Sequence, residues 1–195
     1  MPAGHDAVME ELWLQCCNGH EEALGGLASG FYPSLYYYGT KFTEDRELIK
    51  DCLQDLFLDL WERREMLGEV TSPKAYLFQA FRNNLFYRIK KASRYQELTE
   101  SDTFELSSYS HETAWIEREA ESNLDQKLGQ SMERLPKRQR EALYLRYYEN
   151  LSYEEIAVIM GLRRQAVANY IQYGIQKLRL FWQQATISLI LLGMA

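Results

Sequence analysis

The chain is short of the residues that build disulfide scaffolds, metal centres and membrane anchors. It has three cysteines and three histidines among 195 residues. Cys16, Cys17 and Cys52 are an odd set without metal-ligand spacing, and neighbours such as Cys16 and Cys17 rarely bond to each other. All three are expected as reduced thiols. His20 lies three residues after Cys17, but two cysteines and one histidine fall short of a zinc set. No metal and no other cofactor is expected. The opening MPAGHDAVMEELWLQ lacks a basic stretch followed by a continuous apolar one, so a signal peptide is not expected. Ile187 to Ala195 is apolar but nine residues long, under half of a bilayer span. That tail is expected to pack on the last helix or to meet a partner, and the location is expected to be cytoplasmic. Strand-type alternation and internal repeats are missing too, which leaves an all-α chain.

What is present is enough to fold. Apolar residues make up 46% and aromatics 13%, ample for packed cores. The net charge of −6 is unevenly spread. Residues 1–95 carry −3, residues 96–130 carry −7 and residues 131–195 carry +4. Within the first block, Lys74 to Arg94 holds six basic residues and no acid. A local basic patch is what phosphate contact needs, whatever the charge of the whole chain.

Composition and periodicity divide the chain into two small helical domains joined by an acidic linker. Residues 1–95 form the first. Its clearest helix runs from about Asp45 to Glu65, with Leu48, Leu53, Leu56, Phe57, Leu60 and Trp61 inside and Asp51, Asp55, Asp59 and Glu62 as an acidic stripe. After a turn at Gly68 to Pro73, a run from Ala75 to Ser93 is aromatic on one side and basic on the other. Residues 96–123 are polar, acidic and rich in Ser, Thr and Glu, and read as a linker with one helix around Trp115. Residues 124–185 form the second domain, and 186–195 the apolar tail.

The second domain carries a helix-turn-helix. Ser152 begins Ser-Tyr-Glu-Glu, so its hydroxyl can cap a helix while Glu155 reaches back to the cap's amide. Ile156, Ala157 and Met160 form its apolar stripe, and Gly161 supplies the turn. A second run places Val167, Ile171, Ile175 and Leu178 on one face and Arg163, Arg164, Gln165, Asn169 and Gln172 on the other. Such side chains can donate paired hydrogen bonds to purine edges in the major groove. The expected base-reading set is therefore Arg163, Arg164, Gln165, Asn169 and Gln172.

In the first domain, Asp51, Gln54, Asp55, Phe57 and Trp61 are followed by Tyr76, Leu77, Arg82, Asn83, Arg88, Lys90, Lys91 and Arg94. Asn18-Gly19 through Ala23 and Phe31-Tyr32-Pro33 precede them. Leu135-Pro136, Arg138, Arg140, Leu145, Glu155-Ile156-Ala157, Gly161, Val167 and Leu178-Arg179 come after. In order and spacing this resembles the extracytoplasmic-function (ECF) sigma factors of bacterial RNA polymerase, over roughly residues 10–180.

The resemblance implies a protein that is not an enzyme, has no small-molecule substrate, and lends promoter specificity to polymerase core while helping to melt the duplex. The implied core-binding set, facing a beta-prime coiled coil, is Asp51, Gln54, Asp55, Leu58 and Trp61. Acidic and amide side chains with an aromatic anchor suit a basic partner surface. Phe57 is expected in the core instead. The implied minus-ten DNA set is Arg82, Asn83, Asn84, Arg88, Lys90, Lys91 and Arg94, where cations track phosphates and aromatics stack bases. Most of the interleaved Tyr76, Phe78, Phe81, Phe86 and Tyr87 are expected to be core. The base-reading set of the second domain would take the minus-thirty-five element. The acidic linker is either a solvated tether or, as in the family, a thread through the polymerase's RNA-exit path. Implied partners are RNA polymerase core (beta-prime and beta subunits), promoter DNA and an anti-sigma factor. The tyrosine-rich first domain is also similar to the iron-citrate subgroup, whose anti-sigma protein spans the membrane.

The helix-turn-helix departs from the family pattern. Arg163 stands where Ser is usual, Ala166 and Ala168 replace Thr and Lys, and Gly174 replaces Ala. Two other classes of protein remain open at this point. A stand-alone regulator would bind operators without polymerase. A helical hydrolase would need His111, Glu112, Glu117 and Glu121, which lack a second histidine at ligand spacing.

Overall fold

The computed structural model describes residues 3–67, 70–99 and 131–192, with side chains over 7–67, 70–92 and 131–181. Every regular element among these residues is helical. The chain divides into two compact units, Met1–Tyr109 and Ser110–Ala195. The helices are α1 (Ala3–Cys17), α2 (Glu21–Gly39), α3 (Arg46–Arg63), α4 (Pro73–Thr99), α5 (Lys137–Tyr147), α6 (Tyr153–Met160) and α7 (Arg164–Leu192). A 3-10 turn at Arg64–Met66 follows α3.

In the first unit, α2 buries Ala23, Leu27, Phe31, Leu35 and Tyr38, a stripe at helical spacing that continues through Gly25, Gly26, Gly30 and Pro33. Packing overrides the weak helix propensity of these residues. Gly30 has a steric reason: a Cβ there would lie 2.6 Å from Met9 Sδ on α1. Asp45 caps α3 by accepting from the Leu48 amide at 2.9 Å. That helix turns Ile49, Cys52, Leu53, Leu56, Phe57 and Leu60 inward. Pro73 opens α4 at a position where its missing N–H loses nothing. Ser72 Oγ accepts from the Ala75 amide at 3.2 Å beside it. Leu77, Phe78, Phe81 and Leu85 of α4 are fully buried. The Tyr38 ring meets Phe78 at 5.2 Å and Phe42 edge-on at 5.0 Å, so aromatic packing occupies the centre of this unit.

In the second unit the core is aliphatic, drawn from Leu143, Leu145, Leu151, Ile156, Ile159, Val167 and Ile171. Arg140 Nη2 donates to the carbonyls of Glu133 (2.8 Å) and Leu135 (3.2 Å), satisfying backbone acceptors just before α5. Between α5 and α6, Asn150 takes a left-handed φ of 56° and Tyr144 donates to the buried Glu149 carboxylate at 2.7 Å. The capping box forms as its residues suggest. Ser152 Oγ accepts from the Glu155 amide at 3.2 Å, and Ser152 N donates to Glu155 Oε2 at 2.7 Å. Gly161 ends α6 at φ 63°, a conformation glycine adopts without strain. At Gly174 a Cβ would lie 2.7 Å from Leu143 Cδ1, so the missing methyl admits α5 closely against α7.

Two helices outrun the sequence reading. The third run of the first domain was expected to end at Ser93 with a linker from 96, yet α4 continues to Thr99. No Gly or Pro interrupts residues 92–99, and propagating a formed helix needs one bond per residue. The apolar tail was expected to pack on the last helix or meet a partner. Its backbone prolongs α7 as far as Leu192. Most of the acidic linker lies outside the described residues, with His111, Glu112, Trp115, Glu117 and Glu121.

Candidate nucleic-acid interface

Helix α3 sorts its side chains by face. Asp51, Gln54 and Leu58 are exposed, Asp55 and Trp61 half-buried, all at i, i+3, i+4, i+7 spacing, so the five expected docking residues share one side. Phe57 is buried at 9% exposure, in the core as expected. Trp61 is covered on one side by Arg64, whose guanidinium carbon lies 4.3 Å from the ring centroid. Arg64 Nη1 also donates to the Trp61 carbonyl at 2.7 Å.

Helix α4 presents the basic set less uniformly. Asn83, Lys90 and Lys91 are exposed, and Arg82 and Asn84 half-buried. Arg82 lies over the Phe86 ring at 4.5 Å. Arg94 is on the helix, its side chain outside the described residues. Of the five aromatics, Phe78 and Phe81 are core and Tyr76 packs edge-on against Trp13 at 5.4 Å. Phe86 (38%) and especially Tyr87 (66%) are exposed, so the aromatic surface of this helix is limited to two rings. A shallow groove between α3 and α4 is lined by Leu48, Asn84, Tyr87, Arg88, Lys91 and Ala92.

Arg88 is held differently from the other expected cations of α4. Its guanidinium turns toward α3, where Nη2 donates to the Asp55 carboxylate and Nη1 lies 4.0 Å from Asp51. Nε donates to Asn84 Oδ1 at 3.3 Å. The acidic docking residues and the basic run thus meet at one arginine. Beneath them, burial pushes the Cys52 thiol from an ordinary 9.0 up to about 11. Burial raises Cys16 and Cys17 as well. Neutral thiols are poor metal ligands, and no cluster of three metal-ligating side chains occurs among the described residues.

In the helix-turn-helix, Arg163, Arg164, Gln165 and Gln172 are exposed and Asn169 is half-buried, all on α7 or its cap. Gln165 Nε2 donates to Asn169 Oδ1 at 3.2 Å. Arg164 pairs with Glu154 of α6 and lies 5.8 Å from the Tyr153 ring, which also receives Arg146 at 5.4 Å. Tyr153 and Glu154 were recognisable only as parts of a capping sequence. Their contact with an arginine across the turn had no local signal.

Known proteins match this arrangement. The model of sigma-70 region 2 matches residues 27–95 and that of sigma-70 region 4 residues 125–178, together well over half of the chain. The ECF RNA polymerase sigma factor SigL of Mycobacterium tuberculosis is 24% identical over 155 residues, covering 77% of this chain and 83% of that protein. The solved structure of CnrH in complex with the cytosolic domain of CnrY is similar in fold, with a TM-score of 0.61 at 20% identity. It covers 91% of this chain and 98% of CnrH. RpoE, solved with the anti-sigma factor NepR from Bartonella quintana, has a TM-score of 0.55 at 20% identity and covers 77% of this chain and 91% of its own.

Proposed function

The chain belongs to the sigma-70 family and is an ECF-type sigma factor, and from that premise we propose which surface does which part of the work. As a sigma factor it binds RNA polymerase core, directs it to promoters and helps melt promoter DNA. The outward face of α3, with Asp51, Gln54, Asp55, Leu58 and Trp61, docks on the core enzyme. Helix α4, with Arg82, Asn83, Asn84, Arg88, Lys90, Lys91 and Arg94, takes the minus-ten DNA. Arg163, Arg164, Gln165, Asn169 and Gln172 of the helix-turn-helix take the minus-thirty-five element. The observation that carries this reading is the sorting of α3 and α4 into an acidic, amide-bearing face and a basic, aromatic one. Opposite charges on neighbouring helices suit a basic protein partner and a polyanion respectively.

We infer that the chain is not itself an enzyme and that it acts in the cytoplasm with the polymerase. No helix among the described residues is long and apolar enough to cross a membrane. RpoE binds an anti-sigma factor in its solved complex, and such a regulator is proposed here too. The iron-citrate subgroup, with a membrane-spanning anti-sigma protein, is supported only by the tyrosines of α2, among them Tyr32 stacked on Tyr36.

The test is transcription. Purified chain mixed with sigma-free bacterial core and genomic DNA fragments is expected to start transcripts downstream of a shared two-part motif. Binding to fixed operators without core, and no transcripts with it, would identify a stand-alone regulator instead.

A further inference from the structure

One contact in the helix-turn-helix is unused by the proposed function. Glu154 in the first turn of α6 reaches across the Gly161 turn to Arg164, the first residue of α7, with Arg164 Nε donating to Glu154 Oε1. The side chains are 61% and 64% exposed, where an ion pair adds little to folding stability. Its effect is on geometry instead. Arginine is long and rotamer-rich, and this one is restrained twice, by the carboxylate and by the Tyr153 ring 5.8 Å away. Glu154 is itself well placed, because the Ser152–Glu155 capping box fixes the turn that carries it. The hydrogen bond from Arg164 holds the Glu154 carboxyl below its usual range, so it stays ionised at neutral pH.

A carboxylate at the DNA-facing end of this motif is otherwise unfavourable, because it repels phosphates. Paired with Arg164, it removes much of that arginine's attraction for the backbone. With Nε engaged, the two Nη nitrogens remain as a donor edge whose parallel N–H groups match O6 and N7 of guanine.

We propose that Glu154 is a positioning residue for base readout, holding Arg164 so that its Nη edge meets a guanine in the major groove of the upstream promoter element. The proposal rests on the reading that α7 enters that groove. It assigns a specificity role to a residue outside the recognition helix.

The experiment uses holoenzyme assembled from the full chain and sigma-free core. A duplex library randomised over the upstream element is selected and sequenced. Retention on one fixed, unrelated duplex is measured in parallel. Wild type is expected to enrich guanine at one position, and Arg164→Lys to lose that enrichment because an ammonium lacks the paired edge. Glu154→Ala is expected to reduce it by about fivefold or more while raising retention on the unrelated duplex. Glu154→Gln removes the same charge but keeps an acceptor oxygen, so part of the guanine preference should survive. Specificity falling while non-specific binding rises separates positioning from loss of fold, which lowers both, and from simple charge removal, which raises both.

Unchanged guanine enrichment in Glu154→Ala would overturn the inference. So would equal losses in the Ala and Gln variants, or an enriched position indifferent to Arg164→Lys. A wild type that selects no base in the element would sink the minus-thirty-five assignment itself.

Discussion

The two units solve one problem in different surroundings. Each holds an arginine against a carboxylate of the preceding helix, Arg88 on Asp55 in the first and Arg164 on Glu154 in the second. The first pair sits at 32% and 42% exposure, over an aromatic core and beside a buried thiol. The second stands at 61% and 64%, above a short helix with an aliphatic core. A half-buried pair is less screened by water and salt than an exposed one. Arg88 therefore ties two helices together, whereas Arg164 is oriented with little consequence for stability. The same two residue types serve architecture in one place and presentation in the other.

The contrast can be broken most forcefully at the core. Phe81→Ala, at the fully buried centre of the first unit, should destabilise it by about 3–5 kcal/mol in urea unfolding. A loss below about 1 kcal/mol would mean that the aromatic centre is not what supports the Arg88 pair. Next comes the pair itself. Arg88→Gln should lower stability by about 1 kcal/mol, and Asp55→Arg combined with Arg88→Asp should recover part of what either reversal loses. Strict additivity in that cycle would show that the two side chains do not interact in solution.

Function sharpens the comparison further. Asp55→Ala should weaken association with core measured by competition. Lys90→Ala with Lys91→Ala should leave association intact, slow strand opening and reduce the salt dependence of DNA binding by about one unit per lysine. Normal opening by that double variant would remove both lysines from the minus-ten surface. The smallest effect concerns the thiols. Cys52 is raised to about 11, so the unfolded chain gives up this proton before the folded one does, and stability should fall as pH climbs from about 9 through 11. At pH 8 a thiol reagent should label Cys17, which is partly exposed, well before the buried Cys52. Equal labelling rates in the folded protein would contradict the burial.

What could be read from residues alone follows the range of the interactions concerned. The capping box at Ser152, the glycine turn at 161 and the helix begun at Asp45 depend on neighbours within four positions, and their residues announce them. Periodicity likewise put Phe57 inside and Asp51 outside. The partner of Arg88 lies 33 positions away and is chosen by how α3 packs on α4, so a run of cations looked uniform when it was not. Glu154 and Arg164 are ten apart across a turn, beyond any helical spacing. Helices α4 and α7 run past the changes of composition near residues 96 and 186. A helix stops where its backbone bonds stop, and composition alone does not break them.

Helix α7 has a mechanical consequence. Its 29 residues are continuous from Arg164 to Leu192, and a straight α-helix of that length spans about 43 Å at 1.5 Å per residue. Arg164, Gln165, Asn169 and Gln172 occupy one end of this helix and the apolar tail the other. Between them lies Gly174, where a Cβ would come within 2.7 Å of Leu143 Cδ1. A tilt of about 5° about that point would move the Arg164 end, about 15 Å away at 1.5 Å per residue, by roughly 1.3 Å. That is about half of a hydrogen-bond length, enough for a continuous helix to pass a displacement at its far end on to the side chains of its first turn.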